Sequence, residues 1–288
     1  MVEIVFGQLL VGLINGSFYA MLSLGIAVLF GMLHVINFAH GTLYMLGAFL
    51  AWLALQQLGM NYWAALVIIP LVVACFGMLI ERVMMSRLAG LDPLYGFLLT
   101  FGIALIVEGM FQYWFGSSAK PYPSPALLRG GVDLGIGFIP IYRLWVIVAS
   151  IVMCIATWFF IERTRLGAYM RSSTENAPLV QVFGINVPML VTLTYAGAAA
   201  LAAFAGVLAA PIFQVAPHMG TNLVILVFAV VVIGGMGSIL GSIIAGYALG
   251  IVEGIAKVFY PEGSSLAIFL IMALVLLARP GGILGRKA

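Results

Sequence analysis

Charge is almost absent from the interior of this chain and returns only at intervals. Between the returns lie apolar stretches at 5–31, 41–57, 62–81, 94–115, 143–161, 188–211, 222–236, 239–258 and 264–279. Most approach the about 20 residues with which a helix crosses the ~30 Å hydrocarbon core of a bilayer. In lipid, a segment of that kind has no water to satisfy its amides and carbonyls, so it folds as a helix. Only 7% of the residues are charged and 64% are hydrophobic, whereas a soluble domain carries about 25% charge. The reading is an all-α polytopic membrane protein of eight or nine transmembrane helices. It forms one transmembrane domain over 1–288, with the lipid bilayer as its solvent.

The count turns on 222–258. That stretch is long for one span and short for two, with Gly234, Gly235, Gly237 and Gly241 in its middle. A helix broken at those glycines is the expectation; it leaves open one kinked crossing or two. Nine crossings put Arg82, Arg87, Arg163, Arg165, Arg171, Arg279, Arg286 and Lys287 on the inner side. Lys120, Arg129, Arg143 and Lys257 are left outside. That asymmetry is the positive-inside pattern. Tyr62, Trp63, Tyr113, Trp114, Tyr142, Trp145 and Tyr260 then fall at outer span ends, where amphipathic rings prefer to sit. The outer segment 116–142, rich in Pro and Gly, reads as a structured turn. The opening MVEIVFGQ has no positive n-region, so the first run is expected to be a retained span.

One polar interlude stands out, RTRLGAYMRSSTENAPLVQVFGIN over 163–186. Its charges exclude it from the bilayer core, where each costs at least ~2.5–3.5 kcal/mol. A short helix is expected from about Thr174 to Phe183, capped by Ser173 or Thr174 and closed by Gly184. Pro178 fits only in a first turn, which allows a start at Ala177 instead.

Within the spans, polar residues are few. Asn37, His40, Gly41 and Thr42 lie in INFAHGT, between two apolar runs. They line a solute path through a broken helix, or Asn37 simply caps a helix beginning near Ala39. The glycine-rich VVIGGMGSILGSIIAG, with Gly234 and Gly235, is the corresponding interruption in the second half. Paired interruptions of this kind suit inverted repeats around a transport path. Glu108 sits well inside a span, as a path residue or as a glutamate buried between helices. Glu253 and Lys257, four apart in the favourable order, are expected to neutralise one another and snorkel outward. Gly237–Gly241 and Gly246–Gly250 have the spacing of close helix packing.

Several chemistries have no support. The dipeptide Gly-Lys never occurs, so there is no phosphate loop. No catalytic residues are expected, and no cofactor on this chain. Cys75 and Cys154 read as small core residues. His34 and His40 stand six apart, about 240° around a helix, which opposes a metal site, and His218 reads as a solvated loop residue. The net charge of +3 is spread over span-flanking loops, with no nucleic-acid patch.

NGSFYAMLSLGIAVLFGMLHVINFAHGTLYMLGA (15–48), TRLGAYMRSSTENAPLVQVFGINV (164–187) and VVIGGMGSILGSIIAG resemble the LivH-type permease of branched-chain amino acid ABC importers, and the similarity covers nearly the whole chain. The resemblance implies a type II-like importer subunit without its own ATPase, in the bacterial inner membrane. Its implied partners are a second permease, paralogous rather than identical, two cytoplasmic ATPase subunits that use the ATP, and a periplasmic solute-binding protein. Segment 162–187 would be the cytoplasmic coupling loop. Arg171, Glu175, Asn176, Gly184 and Asn186 occupy its motif positions. The solute would be a branched-chain amino acid or a similar small molecule such as urea, an amide or an aromatic acid. The rival classes are an ion-coupled secondary transporter, whose coupling site could only be Glu108, and a passive channel.

Overall fold

The computed structural model describes residues 2–33, 37–133 and 138–285. His34, Arg286 and Lys287 lie outside the described residues. The helices are α1 (Val2–Leu33), α2 (Ala39–Leu58), α3 (Tyr62–Val83), α4 (Pro93–Phe115), α5 (Ile141–Arg163), α6 (Arg165–Val182), α7 (Val187–Phe213), α8 (Met219–Gly234), α9 (Ile239–Phe259) and α10 (Ser264–Ala278). Eight of these are long and apolar enough to cross a membrane, so the chain is an all-α polytopic membrane protein. α10 reaches that length, 18 residues, together with the turn Pro261–Gly263 that leads into it, whereas α8 has only 16. At ~1.5 Å per residue it extends only about 24 Å.

Two compact units share the helices. One unit comprises α1 up to Leu24, the segment Pro123–Ile155 and the chain from Ile225 onward. Its core contact joins α1 to α9 through glycine. A Cβ on Gly250 would lie 2.4 Å from the Gly12 carbonyl oxygen, and one on Gly246 would lie 2.5 Å from the Ala20 nitrogen. Gly254 meets Gln8 and Gly12 in the same way, so the two helices run antiparallel with backbones touching. Small residues permit this approach, and dispersion holds helices together in lipid. The expected role of Gly246–Gly250 is met. Gly237 instead occupies a turn.

That turn settles the broken stretch. A Cβ on Gly234 would lie 2.5 Å from the Gly241 carbonyl oxygen, whereas seven residues of continuous helix span about 10 Å. The chain therefore reverses between α8 and α9, using left-handed Gly235 (φ 105°) and Gly237 (φ 84°). The stretch is two helices rather than one kinked helix. The tail after α10 returns to this turn: Ile283 and Leu284 donate to the carbonyls of Ile233 and Gly234 at 2.8 and 3.1 Å. They satisfy orphan carbonyls at the end of α8. In segment 123–142 a two-stranded antiparallel hairpin, β1 (Gly131–Asp133) with β2 (Phe138–Pro140), qualifies the all-helical expectation.

The other unit comprises Gly25–Tyr122 and Ala156–Val224. Its centre is α7, whose AGAAALAAFAG run presents a thin surface to α2 and α3. A Cβ on Gly47 would lie 2.3 Å from the Ala203 carbonyl oxygen, and one on Gly206 would lie 2.0 Å from that of Tyr44. α3 runs antiparallel to α7, with Gly77 on Ala199 and Glu81 on Thr192. Phe49 of α2 packs on Phe111 and Phe115 of α4. Beyond α4 and α7, Lys120 and Val215 exchange backbone hydrogen bonds at 2.8 and 2.9 Å. The ends of α4 and α7 therefore meet. Arg82, at the end of α3, lies at the opposite end of this unit, where α7 begins. Cys75, read as a core residue, is exposed on α3, while Cys154 is buried.

Candidate functional site

The expected path residues of the first half gather in one unit. Asn37, His40 and Thr42 are all buried around the first turn of α2. The Asn37 amide donates to the Tyr195 hydroxyl at 3.0 Å, and its carbonyl oxygen accepts from the Ala39 N–H at 3.0 Å. The capping reading is therefore realised, with an added tie to α7. The next N–H, that of Phe38, donates to Thr100 of α4 at 3.2 Å. The entry to α2 is thus held by α4 and α7 together. His40 lies against Gly25 of α1, where a Cβ would come within 2.7 Å of the imidazole.

Gly41 touches the first turn of α8. A Cβ on Gly41 would lie 2.6 Å from the Gly220 carbonyl oxygen. Thr221, the next residue, donates to the Glu108 carboxylate, and His218 pairs with the other carboxylate oxygen. One sequence expectation is corrected here: His218 is paired with a carboxylate rather than merely solvated. The pairing spans 110 residues of sequence, which no local periodicity reveals. Gly234 and Gly235 lie in the other unit, packed against Gly241 and Gly285.

Two further carboxylates are buried, and the sequence analysis singled out only one of them, Glu253. Glu81, only 4% exposed, accepts from the Thr192 hydroxyl at 2.5 Å. Glu253 does pair with Lys257, at 2.6 Å, but it turns inward rather than snorkelling. Tyr19 donates to it at 2.7 Å and Asn15 at 3.4 Å. Burying a carboxylate requires such donors.

The polar interlude forms two helical segments. Thr164 caps the first by accepting from the Gly167 N–H at 3.2 Å. Gly167 crosses the end of α5 so closely that a Cβ would lie 2.0 Å from the Ile161 carbonyl oxygen. Arg171 reaches back to the carbonyls of Ile161 and Glu162 and lies 3.5 Å from the Glu162 carboxylate. A guanidinium there satisfies the last carbonyls of α5 and suits its negative end. Helical dihedrals break at Asn176 (φ −153°, ψ 86°). Its carbonyl oxygen accepts from the Leu179 N–H at 3.0 Å, so Asn176 caps the second segment.

Of the two expected starts, Thr174 is not realised and Ala177 is, directly after the Asn176 cap, with Pro178 in the first turn. Ser173 and Thr174 spend their hydroxyls on the carbonyls of Tyr169 and Arg171. Left-handed Gly184 (φ 81°) closes the segment, and Asn186 caps α7 by accepting from Met189 at 3.0 Å. Leu179, Val182 and Phe183, three and four apart, leave an apolar strip in the open. Val182 is 82% and Phe183 75% exposed. Glu175 is exposed beside the break.

Residues 8–278 match the family model described as branched-chain amino acid transport system / permease component. A high-affinity branched-chain amino acid transport system permease protein of Pseudomonas aeruginosa, BraD, is 33% identical over 97% of this chain and 95% of its own length. The Escherichia coli permease protein LivH is 29% identical over the same shares. A probable LivH of Methanocaldococcus jannaschii is 26% identical over 95% and 90%. No solved structure gives a significant match.

Proposed function

Given that the chain belongs to the permease component family of branched-chain amino acid transport systems, we propose that it is the membrane subunit of an ATP-driven importer in a bacterial inner membrane. In this reading it pairs with a second, paralogous permease. A periplasmic binding protein delivers a branched-chain amino acid or a similar small solute. Two cytoplasmic ATPase subunits hydrolyse the ATP.

The observation that carries the reading is the second segment of α6. It is a short helix capped at both ends and connected directly to α7 through Asn186. It bears an apolar strip that lies outside the span-length apolar runs. Exposed apolar side chains rimmed by polar ones mark a protein contact. An arginine-flanked segment belongs on the cytoplasmic side, where an ATPase would grip it. Closure of the ATPase pair then moves α6, and α6 moves α7. The rearrangement reaches Asn37 through Tyr195 and exposes the path to alternate sides. Asn176 and Gly184 set the shape of this lever, Glu175 supplies a charge beside its hinge, and Arg171 anchors it to α5.

Affinity purification in mild detergent tests the reading. Two ATPase subunits and a second permease should accompany the chain, and solute uptake by the complex in liposomes should require ATP. The ion-coupled alternative would use Glu108 with His218 as its coupling site. It predicts uptake by the chain alone, driven by a proton gradient and indifferent to ATP.

A further inference from the structure

The carboxylates of Glu81, Glu108 and Glu253, on membrane-crossing helices, are held differently. Glu253 is closed in by Lys257, Tyr19 and Asn15, and Glu81 is 4% exposed under Thr192. Glu108 is different. Its side chain is 13% exposed, and that of its partner His218 is 50% exposed. It stands seven residues before the end of α4, about 10 Å along the axis. A carboxylate at such depth costs several kcal/mol unless it keeps a cationic or hydrogen-bonding partner.

The imidazole is a displaceable partner for that duty, because half of its side chain stands open. An alkylammonium is charged throughout, and its hydrogen bond to a carboxylate is charge-assisted. The site also lies beside Gly220 and Gly41, at the first turn of α8 and close to the first turn of α2. Among the described residues no group of three His, Cys, Asp or Glu side chains could hold a metal ion. A single carboxylate with a displaceable partner suits a monovalent organic cation.

We propose that Glu108 is the receptor for the ammonium group of a zwitterionic amino acid in transit, taken in exchange for His218. The inference rests on the importer reading for its solute class. Thr221 keeps its hydrogen bond to the carboxylate throughout, and the released imidazole turns toward its open side. No covalent step is involved.

The test uses the chain alone in nanodiscs, so it does not depend on partner assembly. The ring nitrogens of ¹⁵N-labelled His218, assigned with His218→Gln, are followed by magnetic resonance. L-Leucine and isoamylamine should both move the signal, whereas 4-methylpentanoate, which has no ammonium, should not. Glu108→Gln should abolish the response and Glu108→Asp should keep it. An equal shift with the amine-free acid, or none with either ammonium compound, overturns the proposal. In the assembled importer, Glu108→Gln should lower leucine uptake at least about tenfold, with Glu108→Asp retaining clearly more. If both variants fall equally, the pair is a structural tie and the receptor role is lost. A wild-type complex that neither assembles nor imports would instead count against the importer reading, and the resonance result would stand by itself.

Discussion

Asn37 and Tyr195 bind the entry of α2 to the middle of α7: amide to phenol at 3.0 Å, both side chains buried. Removing one partner of a buried hydrogen bond leaves the other unsatisfied, at about 1–3 kcal/mol. Tyr195→Phe should therefore lower the unfolding temperature of the detergent-solubilised protein. Asn37→Ala should cost more, since it also loses the Ala39 cap. A double variant no worse than Asn37→Ala would establish the coupling. Additive losses would show that the two residues act separately.

Much of the fold could be read from residue order because membrane spans announce themselves by length. The nine apolar stretches correspond to nine of the ten α-helices among the described residues to within a few residues, since lipid leaves the backbone no other choice. The α8–α9 reversal could not be resolved. Glycine permits a kink and a hairpin equally, and the contact that decides, Gly234 on Gly241, is a matter of backbone approach. The site was legible residue by residue but not as pairs. Asn37 and Glu108 stood out as polar groups in apolar runs, yet Tyr195 and His218 lie 158 and 110 residues away. At Asn176 the choice lay between starts at Thr174 and Ala177. Ser173 and Thr174 offered equally good caps, and only the dihedral break separates them.

Glycine contacts give a sharper stability prediction than glycine counts. Gly250 has the backbone of Gly12 and Gly16 within 2.4 Å of any added Cβ, while Gly102 has nothing within 4 Å. Gly102→Ala should be neutral or stabilising by up to about 1 kcal/mol through helix propensity. Gly250→Leu should force α1 and α9 apart. It is expected to show as aggregation in size-exclusion chromatography. Equal behaviour of the two variants would mean that the α1–α9 crossing does not depend on backbone contact.

The Glu253 cluster predicts an order of severity. Lys257→Met leaves a carboxylate, 4% exposed, without its counter-charge, a loss of about 3–5 kcal/mol for a buried pair. Glu253→Gln keeps an acceptor for Tyr19 and Asn15 and removes the charge itself, so it should cost less. Chemical denaturation in a single detergent ranks the two. The reverse order would indicate that Lys257 is effectively solvated.

Arg171 is expected to act on the shape of α6 rather than by direct contact with a partner. Its guanidinium reaches two carbonyls and one carboxylate at the end of α5, a fork that lysine does not reproduce. Arg171→Lys should therefore behave much like Arg171→Ala. Both should speed limited proteolysis within 163–186 severalfold while the spans stay protected. If Arg171→Lys were cleaved as slowly as wild type, the charge alone would suffice and the bidentate contact would be incidental.

Val182 and Phe183 carry the strongest functional prediction, because both are largely exposed and their loss should leave the fold intact. Truncating an interface anchor typically costs about 2 kcal/mol or more in binding, while a surface substitution costs within about 0.5 kcal/mol in stability. Phe183→Asp should thus leave expression and unfolding temperature near wild type while the chain no longer retains ATPase subunits in detergent. Gly184→Ala strains a residue at φ 81° and tests the same surface through its geometry. It should weaken retention less than Phe183→Asp does, with the remaining complex showing ATP hydrolysis poorly coupled to uptake. Undiminished retention by Phe183→Asp would mean that the ATPase grips elsewhere, and the apolar strip on α6 would then need another partner.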